Sequence, residues 1–184
     1  LIWQQDGGQE VAIDLLSMRF HGLKQNKNYI VSDLLKEKSA SLLALFDYTK
    51  ENNNSDGNDY GLTQIASVCF SENTNKEYAL TILKQIKSKI SEHIIGRYDF
   101  PEFMSTIIQL HPILALEVFI GEGTEVGSQI RNAIKGRLDK KVSPFSKVDT
   151  KSTLAWCKNN GKDSYPMLAS IITPYQSVEK SMEW

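Results

Sequence analysis

Apolar residues that return at the 3.6-residue helical period, segment after segment, constrain this chain more than any other feature. After the Asp6-Gly7-Gly8 break, Ala12, Leu15, Leu16, Phe20 and Leu23 share a face with Arg19 and predict a first amphipathic helix. Asn26–Asn28 reads as a polar turn. Ser32 or Asp33 then caps a second helix with Leu35, Leu42, Leu43 and Phe46 on its apolar stripe. Leu62, Ile65, Ala66, Cys69 and Phe70 predict a short third helix, ended at Asn73–Asn75. The clearest stripe follows, with Thr74 or Asn75 as its cap: Ala79, Leu83, Ile86, Ile90 and Ile94 on one side, and Lys84, Lys87, Ser88 and Ser91 toward water.

Gly96 closes that helix, and Pro101 suits the first turn of a fifth helix carrying Phe103, Ile107 and Leu110. Pro112 forces a break before the short apolar run Ile113–Ile120. Val126, Ile130, Ala133, Ile134 and Leu138 give another amphipathic helix. Leu154-Ala155-Trp156 and Met167–Ile172 suggest two more, with Pro166 near the start of the last and Pro174 ending it. Two stretches read as loops: Glu51–Asp59 (ENNNSDGND), rich in turn formers and without an apolar anchor, and Lys140–Val148 (KKVSPFSKV). The expected fold is therefore all-α. Because most connections are short, successive helices should pack as antiparallel pairs in a superhelix or repeat-like bundle.

Helix pairs spaced by roughly 35–45 residues fall in the range of helical repeats. Ser41–Phe46 echoes His111–Leu116, each following a Tyr-led helix start at Tyr29 or Tyr98. In this pattern the chain resembles a HEAT- or armadillo-type α-solenoid segment, and it is similar to the helical C-terminal regions of large bacterial multidomain proteins. That resemblance implies a scaffold with an elongated face for protein partners. The chain opens with Leu1-Ile2-Trp3 and stops at Met182-Glu183-Trp184, after a helical-looking Val178–Trp184 stretch. These ends read as those of a fragment, so residues 1–184 are expected to form a single helical domain of a larger protein.

Composition narrows the function classes. Lys and Arg number 21 against 22 Asp and Glu, and the resulting formal charge of -1 gives no general basic excess for nucleic acid. No uninterrupted apolar run reaches membrane-spanning length. Cys69 and Cys157 lie far apart without CxxC partners and suit small buried thiols in a reducing compartment, so the expected location is the cytoplasm.

Candidate sites follow from residue type and spacing. Gly121-Glu122-Gly123-Thr124-Glu125-Val126-Gly127 imitates a strand–glycine loop–helix nucleotide site, but its spacing is G-x-G-x-x-x-G and Glu122 and Glu125 would repel a phosphate. A helix–helix turn is the simpler reading. His21, His93 and His111 lack metal-ligand spacing, no G-x-S-x-G elbow is present, and Cys69 falls in an apolar stripe. Asp99, Glu102 and Glu117 read as helix-end charges rather than a catalytic pair. No cofactor, metal or catalytic residue is therefore assigned.

The basic tract Lys135, Arg137, Lys140, Lys141 and Lys147, continuing to Lys151 with Phe145 nearby, is the one partner-binding candidate. Its alternative is a solvated helix C-terminus in which the cations complement the dipole. Trp156, Tyr165, Tyr175 and Trp184 read as packing residues. The leading expectation is a non-catalytic helical-repeat scaffold that binds protein. The alternative is a nucleic-acid-binding or sensor region of a bacterial multidomain NTPase or nuclease protein.

Overall fold

The computed structural model describes residues 2–25, 30–48, 55–71, 74–92, 100–121, 144–147 and 149–172. Among these the fold is all-α: the one β-type pairing is an isolated bridge between Ser71 and Thr74. The α-helices are α1 (Gly8–Gln25), α2 (Asp33–Ala44), α3 (Ser55–Cys69), α4 (Lys76–Ser91), α5 (Pro101–Leu110), α6 (Pro112–Leu116), α7 (Thr150–Asn160) and α8 (Ser164–Ile172). Short 3-10 turns form at Ile2–Gln4 and Pro144–Lys147, and α6 runs on into a π-type turn, Glu117–Gly121.

Some successive helices touch, as their short connections predict: α2 with α3, α5 with α6, and α7 with α8. Packing also runs between alternate helices. α1 packs on α3 and α3 on α5, while α2 packs on α4 and α4 on α6 and the π-type turn. The odd and even helices thus form two layers, bridged by the α2–α3 and α5–α6 contacts. α7 packs on α6, and α8 on the π-type turn and the Pro144–Lys147 turn.

The layers are held by an apolar core to which most elements contribute. Ala79, Leu83, Ile86 and Ile90 of α4 are buried as their spacing predicts, together with Ile82. Phe103, Met104, Ile107 and Ile108 bury the inner face of α5. Pro101 sits in the first turn of α5, and Pro112 starts a new helix after a bend of 113°. No single helix among the described residues is long and apolar enough to cross a membrane.

Where α1 crosses α3, Gly61 lets the backbones approach. A Cβ there would lie 3.0 Å from Ile13 Cγ2. Ile13, Ser17 and Phe20 form the buried face of α1. Leu15, expected on that face, is instead 58% exposed, because α1 carries apolar residues on both sides and periodicity alone does not choose between them.

Local capping follows the sequence in part. Ser32 is the cap of α2, its Oγ accepting from Leu35 N at 3.3 Å. Asn75 precedes α4 in the left-handed region (φ 60°), where asparagine is tolerated. Its side chain does not cap α4. Nδ2 donates to Cys69 O at 2.7 Å and so closes the end of α3.

Three expectations are corrected. The turn-rich Glu51–Asp59 stretch is helical from Ser55, and Asp59 is buried in α3. Lys87, expected toward water, is half-buried and donates to Val118 O at 2.6 Å, supplying a donor to the π-type turn. Phe145, grouped by sequence with the basic tract, lies buried in the Pro144–Lys147 turn, which packs on α5, so it is a core residue. The helix expected over Val126–Leu138, the end at Gly96, and Ile94, Tyr175, Val178 and Trp184 lie outside the described residues.

Candidate functional site

Buried polar groups are the first place to look for chemistry, because burial without a partner is costly. Asp59 has the most developed environment. Its Oδ1 accepts from Phe103 N at 2.8 Å and its Oδ2 from Glu102 N at 3.0 Å. The helix it caps begins awkwardly. Phe100, the preceding residue, has φ 49° and offers no capping side chain, and Pro101 has no N–H. The carboxylate from α3 therefore takes the first two N–H groups that α5 presents. Its charge also meets the positive end of the helix dipole.

Around that junction lies an aromatic cluster. Phe100 meets Phe46 and Tyr48 edge-on, at 6.3 and 5.7 Å between ring centres. Tyr48 stacks on Phe103 at 5.7 Å, and its hydroxyl donates to Leu43 O at 2.8 Å. Burial raises the Tyr48 pKa well above its ordinary value, so the phenol stays neutral. This packing holds Phe100 in its left-handed conformation, and each polar group in the cluster has a structural task.

The other candidates resolve in the same way. Burial pushes the Cys69 thiol up to about 12, against the smaller opposing pull of the Ser39 hydroxyl and the Lys36 ammonium. A thiol held neutral is a poor nucleophile. Cys157 is also buried and free. His21 is exposed and bonds Gln25 through its ring, while His111 is buried with its ring edge-on to Phe70 at 5.9 Å. Glu102 gives its backbone N–H to Asp59, and Glu117 is exposed. Among the described residues no group of three or more His, Cys, Asp or Glu is placed to hold a metal ion.

Of the glycine-rich segment only Gly121 is described. It ends the π-type turn, where a Cβ would lie 3.3 Å from Trp156 Cζ2 and 3.4 Å from Asn160 Oδ1. Its role is close packing under α7, and the apolar run before it is helix and not strand. Trp156 is buried as a packing residue, whereas Tyr165 is exposed. His93, Asp99, Lys135, Arg137, Lys140 and Lys141 lie outside the described residues. Lys147 falls in the Pro144–Lys147 turn with its side chain outside them, and Lys151 is exposed on α7.

The surface holds a feature of which sequence reasoning assigned one member, Leu15, to the core. Val11, Leu15 and Met18 of α1 are 45%, 58% and 70% exposed, and their spacing places them in one line. At the start of the even layer, Ile30 and Leu34 are also exposed. Single exposed apolar residues are ordinary, but a line of three on one helix is the kind of surface that partners cover. The signal was present in the sequence as an α1 apolar on both sides. Comparison with protein-family models, curated proteins and solved structures finds no match for this chain.

Proposed function

We propose that this chain is a non-catalytic, HEAT/armadillo-like α-solenoid segment that serves as a scaffold for protein partners within a larger protein. The observation that carries the reading is the alternate-helix stack, α1–α3–α5 beside α2–α4–α6, in which α1 displays an apolar line. Stacks of this kind bury a continuous core between neighbours and leave elongated outer faces for recognition. The balanced charge favours protein over nucleic acid as the partner. Asp59, Tyr48 and Cys69 are engaged in capping and packing, which suits a structural module.

Two measurements test this. A photo-crosslinking residue at Ile30 or Leu34 in the cell is expected to give a discrete protein adduct. Labelled DNA or RNA titrated with the chain is expected to show no binding whose strength falls steeply with added salt. Strongly salt-dependent nucleic-acid binding, or the absence of any protein adduct, would replace the scaffold reading.

A further inference from the structure

The outward face of α1 has an order that simple exposure does not require. Val11, Leu15, Met18 and Gly22 follow one another at spacings of four, three and four residues, the a/d rhythm of a two-stranded coiled coil. All four are exposed. The opposite face, Ile13, Ser17 and Phe20, is the one buried against the body of the protein. The seam is thus a second apolar face, directed away from α3.

Two exposed charges flank the seam, Asp14 on one side and Arg19 on the other, five residues apart. Among the described residues neither makes an ion pair. When two identical helices pair in parallel, the residue before an a position faces the residue five places further along in the partner. Asp14 of each copy then meets Arg19 of the other, and the pair forms twice. Antiparallel pairing would bring each flank against its own kind, acid beside acid and base beside base. Charge complementarity therefore selects both the occupant and its orientation.

We propose that α1 pairs in parallel with α1 of a second copy of this chain, making the scaffold a two-fold dimer. Leu15 packs on its own counterpart, as do Val11 and Met18, and Gly22 lets the backbones converge at the end of the seam. Because α3 packs on the opposite side of α1, the two bodies extend away from the contact. The seam is short: the 12 residues from Val11 to Gly22 span about 18 Å. The interface thus belongs at the small end of stable contacts, with a dissociation constant in roughly the micromolar range.

This inference deepens the scaffold reading by naming one partner. Its failure is distinguishable from failure of that reading, because the adduct test above uses Ile30 and Leu34 and does not involve the α1 seam. The test is sedimentation of the full chain over about 1–200 µM, with circular dichroism confirming that each variant is folded. The wild-type chain should approach twice its 20.8 kDa mass. Leu15→Glu should abolish association. Arg19→Glu should raise the dissociation constant about tenfold by setting acid against acid, and Asp14→Arg combined with Arg19→Glu should restore most of the loss.

Orientation has its own readout. In the parallel pair, Val11→Cys and Met18→Cys should each form a disulfide with themselves under mild oxidation. The buried Cys69 and Cys157 do not compete. A wild-type chain that stays monomeric, a dimer indifferent to Leu15→Glu, a double charge swap no better than the single one, or neither cysteine variant cross-linking with itself would overturn the proposal.

Discussion

Replacing Asp59 tests the idea that α5 is capped from a distant helix. The carboxylate takes two backbone N–H groups, one buried and one half-buried, and it is 6% exposed itself. Each hydrogen bond to a charged acceptor contributes about 1.5–3 kcal/mol, and ordinary N-caps about 0.5–2 kcal/mol. The two bonds share one side chain and are not additive, so Asp59→Ala should cost about 3 kcal/mol. Asp59→Asn keeps one acceptor and turns an NH2 toward the other N–H, for a loss of about 1.5 kcal/mol. Urea denaturation reads both values as a fall in midpoint at constant slope. In thermal melts the alanine variant should lose about 6–12 °C. Hydrogen exchange locates the effect, with the amides of Glu102 and Phe103 losing protection first. An alanine variant within about 0.5 kcal/mol of wild type, or one in which those two amides remain as protected as before, would refute the cap.

Gly61→Ala should destabilise the chain. The added Cβ would sit 3.0 Å from the stiff, fully buried Ile13 side chain, and overpacking of about 2 kcal/mol outweighs the roughly 1 kcal/mol gained in helix propensity. Denaturation midpoints decide this, and a stabilised variant would mean that α1 can move off α3 freely. Cys69 should resist alkylation by iodoacetamide at pH 8 in the folded chain and react once urea unfolds it. Its folded pKa of about 12 lies above the ordinary value of 9.0, so the stability it contributes is fully present below about pH 9 and is lost as pH rises toward 12. Cys69→Ala should flatten part of that alkaline loss in a pH series of melts. An unchanged pH profile would show that folding does not raise the pKa of this thiol.

Much of the helical framework was legible because it rests on local signals. The stripe of α4 and the prolines at positions 101 and 112 act through periodicity and ring geometry, which operate within a few residues. What could not be read depends on pairing across the chain. Asp59 sits in a stretch whose Asn, Asp and Gly residues signal a turn, and the uncapped end of α5, distant in sequence, gives its carboxylate a reason to be buried. Leu15 was assigned to the wrong face because α1 has two apolar faces and only docking on α3 decides which is inner. The basic tract remains a reading of sequence, since most of it lies outside the described residues. The surface candidate came from exposure, which no pattern of residues states by itself.

Alternate packing also has a mechanical consequence. In the odd layer α3 is held between α1 and α5, whereas among the described residues α1 has a layer neighbour on one side alone. Tension applied to the two ends of the chain should therefore peel α1 away before α3 yields. A partner clasped to the outer face of α1 would not reinforce that weak joint, since it binds the side opposite the one that lets go. Load carried through such a contact would reach the joint at Gly61 first, making that crossing the natural release point of the described helices.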